Sequence, residues 1–151
     1  MKVEGTYDFA APRTHVYRSL RDPDLLQQCI PGCDSLTLQP DGRYLAHLSL
    51  KIAAIRGTFS GYVQITDENE ATSYRLNVEG SGGPGFVKGT GLVTLSDSEK
   101  GTHVEVAGDA QVGGMIAGVG QRVLLPAARM LMNQFFECMQ QKIEATAPSV
   151  S

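Results

Sequence analysis

Three histidines, three cysteines and one glycine-rich run are the residues of this chain that could do chemistry, and their spacing decides which chemistry. His15, His47 and His103 fall in three different expected elements, and none stands beside a serine or cysteine in a nucleophile motif. A catalytic triad would have to be assembled by folding alone. His47 and His103 also alternate onto the polar faces of their strands, whereas an acid or base working in an interior cavity needs the other face. Arg75 and Glu79 alternate in the same way with Tyr74, Leu76 and Val78, and read as solvated strand positions. Cys29 and Cys33 enclose Ile30-Pro31-Gly32, a spacing that matches neither common zinc nor common redox motifs. The cysteines are therefore expected to be reduced structural thiols. No catalytic residue, metal ligand or cofactor is assigned.

The glycine-rich run is the more informative feature. Between Asn77 and Leu95 the chain carries six glycines, yet the flanks keep the apolar/polar alternation of a strand. Gly80-Ser81-Gly82-Gly83-Pro84-Gly85 is superficially like a phosphate-cradling loop, but those fingerprints need a helix start immediately after, and here a strand follows. Glycine in a strand costs backbone entropy and packs nothing, so several on one face point either to a bent sheet or to space kept open beside it. Both can hold, since a bent sheet makes a cavity.

These residues have to be positioned by a modest set of elements. A chain of 151 residues buries roughly 70% of its unfolded surface without help from disulfides or metal, so one domain is expected. The net charge is −3 and no Lys/Arg cluster occurs, which argues against a nucleic-acid partner, whose binding rests on neutralising phosphates. No run approaches the ~18 apolar residues of a membrane-spanning helix, and the start has no apolar leader, so a cytoplasmic protein is expected.

Val3, Tyr7 and Phe9 alternate with polar residues as an opening strand. Pro12 and Asp22-Pro23-Asp24 then start two short helices with apolar faces at Val16, Tyr17 and Leu20, and at Leu25, Leu26 and Ile30. Six further strands are expected at about residues 35–39, 43–52, 57–65, 74–80, 86–95 and 104–112, separated by turn signals such as Pro40-Asp41-Gly42 and Ser98-Glu99-Lys100-Gly101. From 115 to 144 apolar residues recur at helical spacing, with Pro126 predicting a kink or a late start near 121–125. Residues 145–151 are expected to fray. The fold class is α+β: a curved seven-stranded antiparallel sheet gripping one long C-terminal helix, with two short helices and a cavity between sheet and helix, in one domain over 1–144.

Four motifs sharpen this. They are Ile30-Pro31-Gly32-Cys33 after the helix pair, Gly57-Thr58-Phe59-Ser60-Gly61 opening a strand, Tyr74 to Gly80 running into the glycines, and Val112-Gly113-Gly114-Met115-Ile116-Ala117-Gly118-Val119-Gly120 ahead of Phe135-Phe136. With these motifs the chain resembles the CoxG family, the G subunit of carbon monoxide dehydrogenase, within the helix-grip superfamily that includes START and Bet v 1-like proteins. The resemblance implies a non-catalytic accessory protein of a molybdenum hydroxylase complex, handling an apolar small molecule such as a quinone or lipid. It also implies recruitment of that enzyme to the inner face of the membrane as a peripheral contact. Some family members carry a C-terminal extension suited to anchoring; the sequence ending at Ser151 departs from that pattern and counts against an anchor here.

The expected ligand-binding residues combine both lines of reasoning. On the sheet they are Phe59, Val63, Leu76, Val78, Phe86, Gly89, Gly91 and Val93; on the helix and its approach, Met115, Ile116, Val119, Val123, Leu124 and Leu131. Methionine and glycine around 115–125 suit an adaptable mouth. The alternatives are a ligand-free docking or maturation module acting through the same segment, and an enzyme of the cyclase or hydrolase kind. The enzyme would need a polar cluster around Tyr44 or Tyr74 facing inward, which the sequence does not display.

Overall fold

In a computed structural model of the protein, residues 1–52 and 55–148 are described. The chain runs β1 (Lys2–Phe9), α1 (Arg13–Leu20), α2 (Pro23–Cys29), then six strands: β2 (Cys33–Leu38), β3 (Tyr44–Ile52), β4 (Ile55–Asn69), β5 (Ser73–Gly82), β6 (Gly85–Asp97) and β7 (Thr102–Gly113). A 3₁₀ turn (Met115–Val119) leads into α3 (Gln121–Ala145). The strands form one sheet in the order β1-β7-β6-β5-β4-β3-β2, every neighbour antiparallel. Successive hairpins build β2 to β7, and β1 closes the far edge by pairing with β7. The seven-stranded curved sheet and its long terminal helix are the architecture that the alternation and the helical spacing imply.

Local chemistry explains the helix boundaries. Asp22 caps α2 by accepting a hydrogen bond from the Asp24 amide at 2.9 Å, and Pro23 occupies the first turn, where its missing N–H costs nothing. The last helix starts at Gln121, within the range expected for a late start, with Pro126 inside it. Gly120, at φ 82°, separates the 3₁₀ turn from Gln121, a left-handed backbone that a side-chain-bearing residue rarely adopts. Pro126, the sixth residue of the helix, has no N–H to donate to the Arg122 carbonyl.

The core gathers at one end. Phe9, Val16, Tyr17, Leu20, Val104, Met139 and Ile143 are at most 1% exposed, and Tyr74, Val93, Leu95 and Phe136 pack with them. Thus α1, α2 and the second half of α3 close over β1, β7, β6 and the start of β5. Tyr7 stacks on Phe136 at 4.0 Å between centroids, and Phe9 meets the same ring edge-on at 6.5 Å. Burying each such side chain contributes about 1.5–3 kcal/mol, so this end carries most of the stability.

Two expectations are corrected here. Cys29 and Cys138 are joined in a disulfide with 5.3 Å between their Cα atoms, leaving Cys33 as the free thiol. The partners lie 109 residues apart and meet because α2 packs on α3, a contact that local spacing does not encode. The expected fray after Glu144 also fails at its start. The Thr146 hydroxyl donates to the Lys142 carbonyl at 3.0 Å, and Ala147 packs against the core. Residues 149–151 of that segment lie outside the described residues.

Candidate functional site

Cross-strand partners share a face of the sheet, so the register assigns the helix-facing side without ambiguity. On that side lie Tyr74, Leu76 and Val78 of β5, opposite Val93, Gly91 and Gly89 of β6. Ile65 and Val63 of β4 continue the rows, and Phe59 lies opposite Gly82. Large and small residues therefore face each other across the strands, and the small ones form a shallow trough.

The glycines divide into two kinds. A side chain at Gly61 would run into the Glu79 carbonyl, and one at Gly82 into that of Thr58, so these two permit the close strand approach of the bent sheet. At Gly91 and Gly80, by contrast, an added Cβ would meet its nearest neighbours at 3.8 and 3.6 Å, ordinary contact distances. Backbone geometry does not require glycine there; what glycine does is keep volume off the helix-facing side. Bending and open space are thus assigned to different residues.

The expected lining residues separate accordingly. Phe59, Val93, Ile116 and Leu124 are buried at 3–6% exposure, and Gly89 is buried too. Val63, Leu76, Val78, Gly91 and Leu131 are half-buried. Those half-buried apolar positions on the covered side of a sheet mean that the first half of α3 does not seal against β4, β5 and β6. Met115 is 80% exposed, and Val119 and Val123 are exposed as well, so they form the rim rather than the wall. Phe86 is a correction: β6 pairs with β7 without a register break, so counting back from Leu95 puts Val93, Gly91, Gly89 and Val87 inward. Phe86 consequently points to the outer face, where its ring lies over Gly113.

Along β4 and β5 the helix-facing side runs from Ile65 and Tyr74 beside the core to Phe59 and Gly82 toward the far end of the molecule. A cleft of about 570 Å³ lies there, bounded by Arg56, Gly57 and Thr58 of β4, Gly83 and Pro84 between β5 and β6, and Met115, Ile116 and Val119 of the 3₁₀ turn. Gly57, at φ 137°, lets β4 pass close to the Pro84 ring, and the Ile116 amide donates to the Pro84 carbonyl at 2.9 Å, pinning the 3₁₀ turn to the strand turn. Sequence reasoning missed Arg56, Gly57, Thr58, Gly83 and Pro84 as lining. The signal available for Gly57, Thr58, Gly83 and Pro84 was the motif and the glycine run containing them, whose juxtaposition the β4–β5–β6 register shows; Arg56 lies in neither.

A second cleft, about 310 Å³, lies on the outer face among Ser60, Tyr62, Glu79, Ser81, Phe86 and Lys88. There the Arg43 guanidinium sits 3.9 Å from the Tyr62 ring and pairs with Glu79 at 3.4 Å. His47 shares a hydrogen bond with the Ser60 hydroxyl at 2.9 Å on the same outer face. Several polar side chains border this cleft, and it lies on the face of the sheet opposite the trough.

The other groups able to do chemistry are occupied structurally. His15 contacts the Ile143 carbonyl at 3.0 Å, and Arg75 pairs with Asp67 at 3.3 Å. His103 is bonded to Asp8 at 3.0 Å, a contact that raises its pKa above the ordinary histidine value, with Glu105 adding to it. Tyr74 does face inward, but in the closed end, edge-on to Tyr17 at 5.8 Å; burial holds its hydroxyl well above the usual tyrosine range. It has no cleft beside it among those described. Among the described residues no three His, Cys, Asp or Glu side chains gather as metal ligands.

Comparison with known proteins agrees with the fold. The model of the CoxG family, described as the G subunit of carbon monoxide dehydrogenase, matches residues 5–144. A crystal structure of a conserved protein from Geobacillus kaustophilus is 34% identical with a TM-score of 0.92, covering 97% of each chain. Proteins of known structure from Chromobacterium violaceum (14% identity, TM-score 0.71, 98% of this chain and 99% of that one) and Thermus thermophilus (15%, 0.70, 98% and 100%) share the fold. No functionally curated protein is significantly similar in sequence.

Proposed function

Because the chain belongs to the CoxG family of carbon monoxide dehydrogenase, we propose that it is a non-catalytic accessory protein of a molybdenum hydroxylase of the carbon monoxide dehydrogenase type. In this reading it holds an apolar small molecule, a quinone or lipid, in the trough between the sheet and the first half of α3, and aids recruitment of the enzyme to the membrane. The observation that carries the ligand is the half-buried row Val63, Leu76 and Val78, facing Gly91 and Gly89 under a helix that does not close on them. Each buried CH₂ contributes about 0.8 kcal/mol, so one isoprenoid unit supplies roughly 4 kcal/mol before ordering costs are subtracted. A few units suffice for useful affinity.

The test is a titration of a short-chain quinone into the wild type and Gly91→Leu. The leucine has room at its Cβ and projects into the trough, so the variant is expected to fold and to lose at least about tenfold in affinity, the loss of one to two buried methylene contacts or more. Unchanged binding in a folded Gly91→Leu contradicts the site. A second reading, a ligand-free module docking on the enzyme through residues 115–125, is favoured by the exposure of Met115, Val119 and Val123. It predicts capture of the enzyme by a protein that binds no quinone, and loss of that capture in Met115→Asp.

A further inference from the structure

Polar atoms are scarce on the helix-facing side of the sheet, which makes its few hydroxyls informative. One cross-strand row runs Leu38, Tyr44, Val63, Val78, Gly89 and Ala110, from the β2 edge to β7. The rows on either side of it, from Leu36 to Val112 and from Ile65 to Val3, hold only aliphatic residues and glycine. The first half of α3 buries Leu124 and Ala127, which add no polar side-chain atom. The register turns Lys51, Arg56 and Lys88 to the opposite face.

Most hydroxyls on the helix-facing side are already committed. Tyr7 donates to Asn133 at 2.8 Å, Thr102 to the Ala11 carbonyl at 2.8 Å, and the Cys33 thiol to the Ser35 carbonyl at 3.4 Å. Tyr74 is sealed in the closed end. Tyr44 differs: it is half-buried opposite Val63, and its hydroxyl has no hydrogen-bond partner among the described residues. Leu38, which ends the row, is 62% exposed, so the row opens to solvent along the β2 edge.

A ligand lying on this surface finds one open hydroxyl for its polar atoms, and no charge. An ionised head would leave water without a counter-charge, whereas a carbonyl can accept a bond from the Tyr44 phenol. We propose that Tyr44 anchors the head of the ligand and that the site selects a neutral amphiphile whose head is a hydrogen-bond acceptor, a ketone or quinone carbonyl. Its chain crosses the strands over Val63, Val78 and Gly89. Tyr44 to Gly89 is three inter-strand spacings of about 4.8 Å, a reach of roughly 14 Å. This rests on the apolar-ligand reading above and adds the residue that fixes the head.

The experiment is equilibrium dialysis of labelled methyl hexyl ketone, octane and octanoate against the wild type, Tyr44→Phe and Tyr62→Phe, with a short-chain quinone in parallel. Phenylalanine keeps the ring, so circular dichroism should report both variants as folded. In Tyr44→Phe the ketone is expected to lose about five- to tenfold in affinity, the worth of one hydrogen bond to a buried carbonyl, while octane changes less than about twofold. Infrared spectra should place the bound carbonyl stretch at lower frequency in the wild type than in Tyr44→Phe, a signature of the hydrogen bond itself. Tyr62→Phe, on the outer face opposite Glu79, should change neither reading. Unchanged ketone binding, or equal losses of ketone and octane, in folded Tyr44→Phe overturns the anchor and leaves the apolar reading intact. Octanoate bound as tightly as the ketone overturns the selection of a neutral head. No binding of the four compounds by folded wild type overturns both the anchor and the apolar reading.

Discussion

Cys29 and Cys138 show how one pair of residues can set the hold of the helix on the sheet. The bridge closes a loop of about a hundred residues, and in the chain-entropy view such a loop is worth about 4–5 kcal/mol, less any strain. Cys138→Ser is therefore expected to lower the unfolding free energy by about 2–5 kcal/mol, read from denaturant midpoints under non-reducing conditions, and Cys33→Ser to change it little. His103 supplies a pH dependence of known sign. Its pKa is raised, first by the hydrogen bond to Asp8, so its contribution is fully present below the unfolded value near 6.5 and is lost as pH rises through the higher folded value. NMR titration should place His103 above that reference, and Asp8→Asn should return it toward 6.5. A folded-state value already at the reference in the wild type contradicts the pairing. Neither the disulfide nor the His103–Asp8 contact was legible locally, because each joins residues about a hundred positions apart.

At the scale of elements, the alternation in β4, β5 and β7 specified both the strands and their inward faces, and Pro126 with the preceding glycines specified where α3 begins. These features are local and periodic, which is why they could be read. Phe86 was expected in the lining, whereas the unbroken register from Phe86–Gly113 to Asp97–Thr102 puts it in the other phase. The mouth was only half visible: Met115 and Val119 stood out as a flexible apolar stretch, but Arg56 and Pro84 join it through strand pairing. The two kinds of glycine give a stability test. Gly91→Ala should be neutral or stabilising by up to about 1 kcal/mol, since it relieves backbone entropy without a clash. Gly61→Ala should cost about 1–3 kcal/mol by pushing a methyl into the Glu79 carbonyl. Equal losses at both positions, measured by chemical denaturation, would remove the distinction on which the trough rests.

For the molecule as a whole, one end is a packed core locked by aromatic contacts and a disulfide, and the other is a less tightly closed end with a cleft and the exposed Met115 and Val119. In the proposed function, stability and binding fall to opposite halves of the same helix. No helix among the described residues is long and apolar enough to cross a membrane, so any membrane role of these helices is a surface contact. The proposed function depends on the trough holding an apolar molecule. Native mass spectrometry of the freshly purified wild type beside Gly91→Leu, followed by organic extraction, tests that most directly. A single apolar small molecule retained by the wild type and absent from the variant is the predicted result. Identical bare masses for both proteins, together with no uptake of added quinone by the wild type, would contradict it.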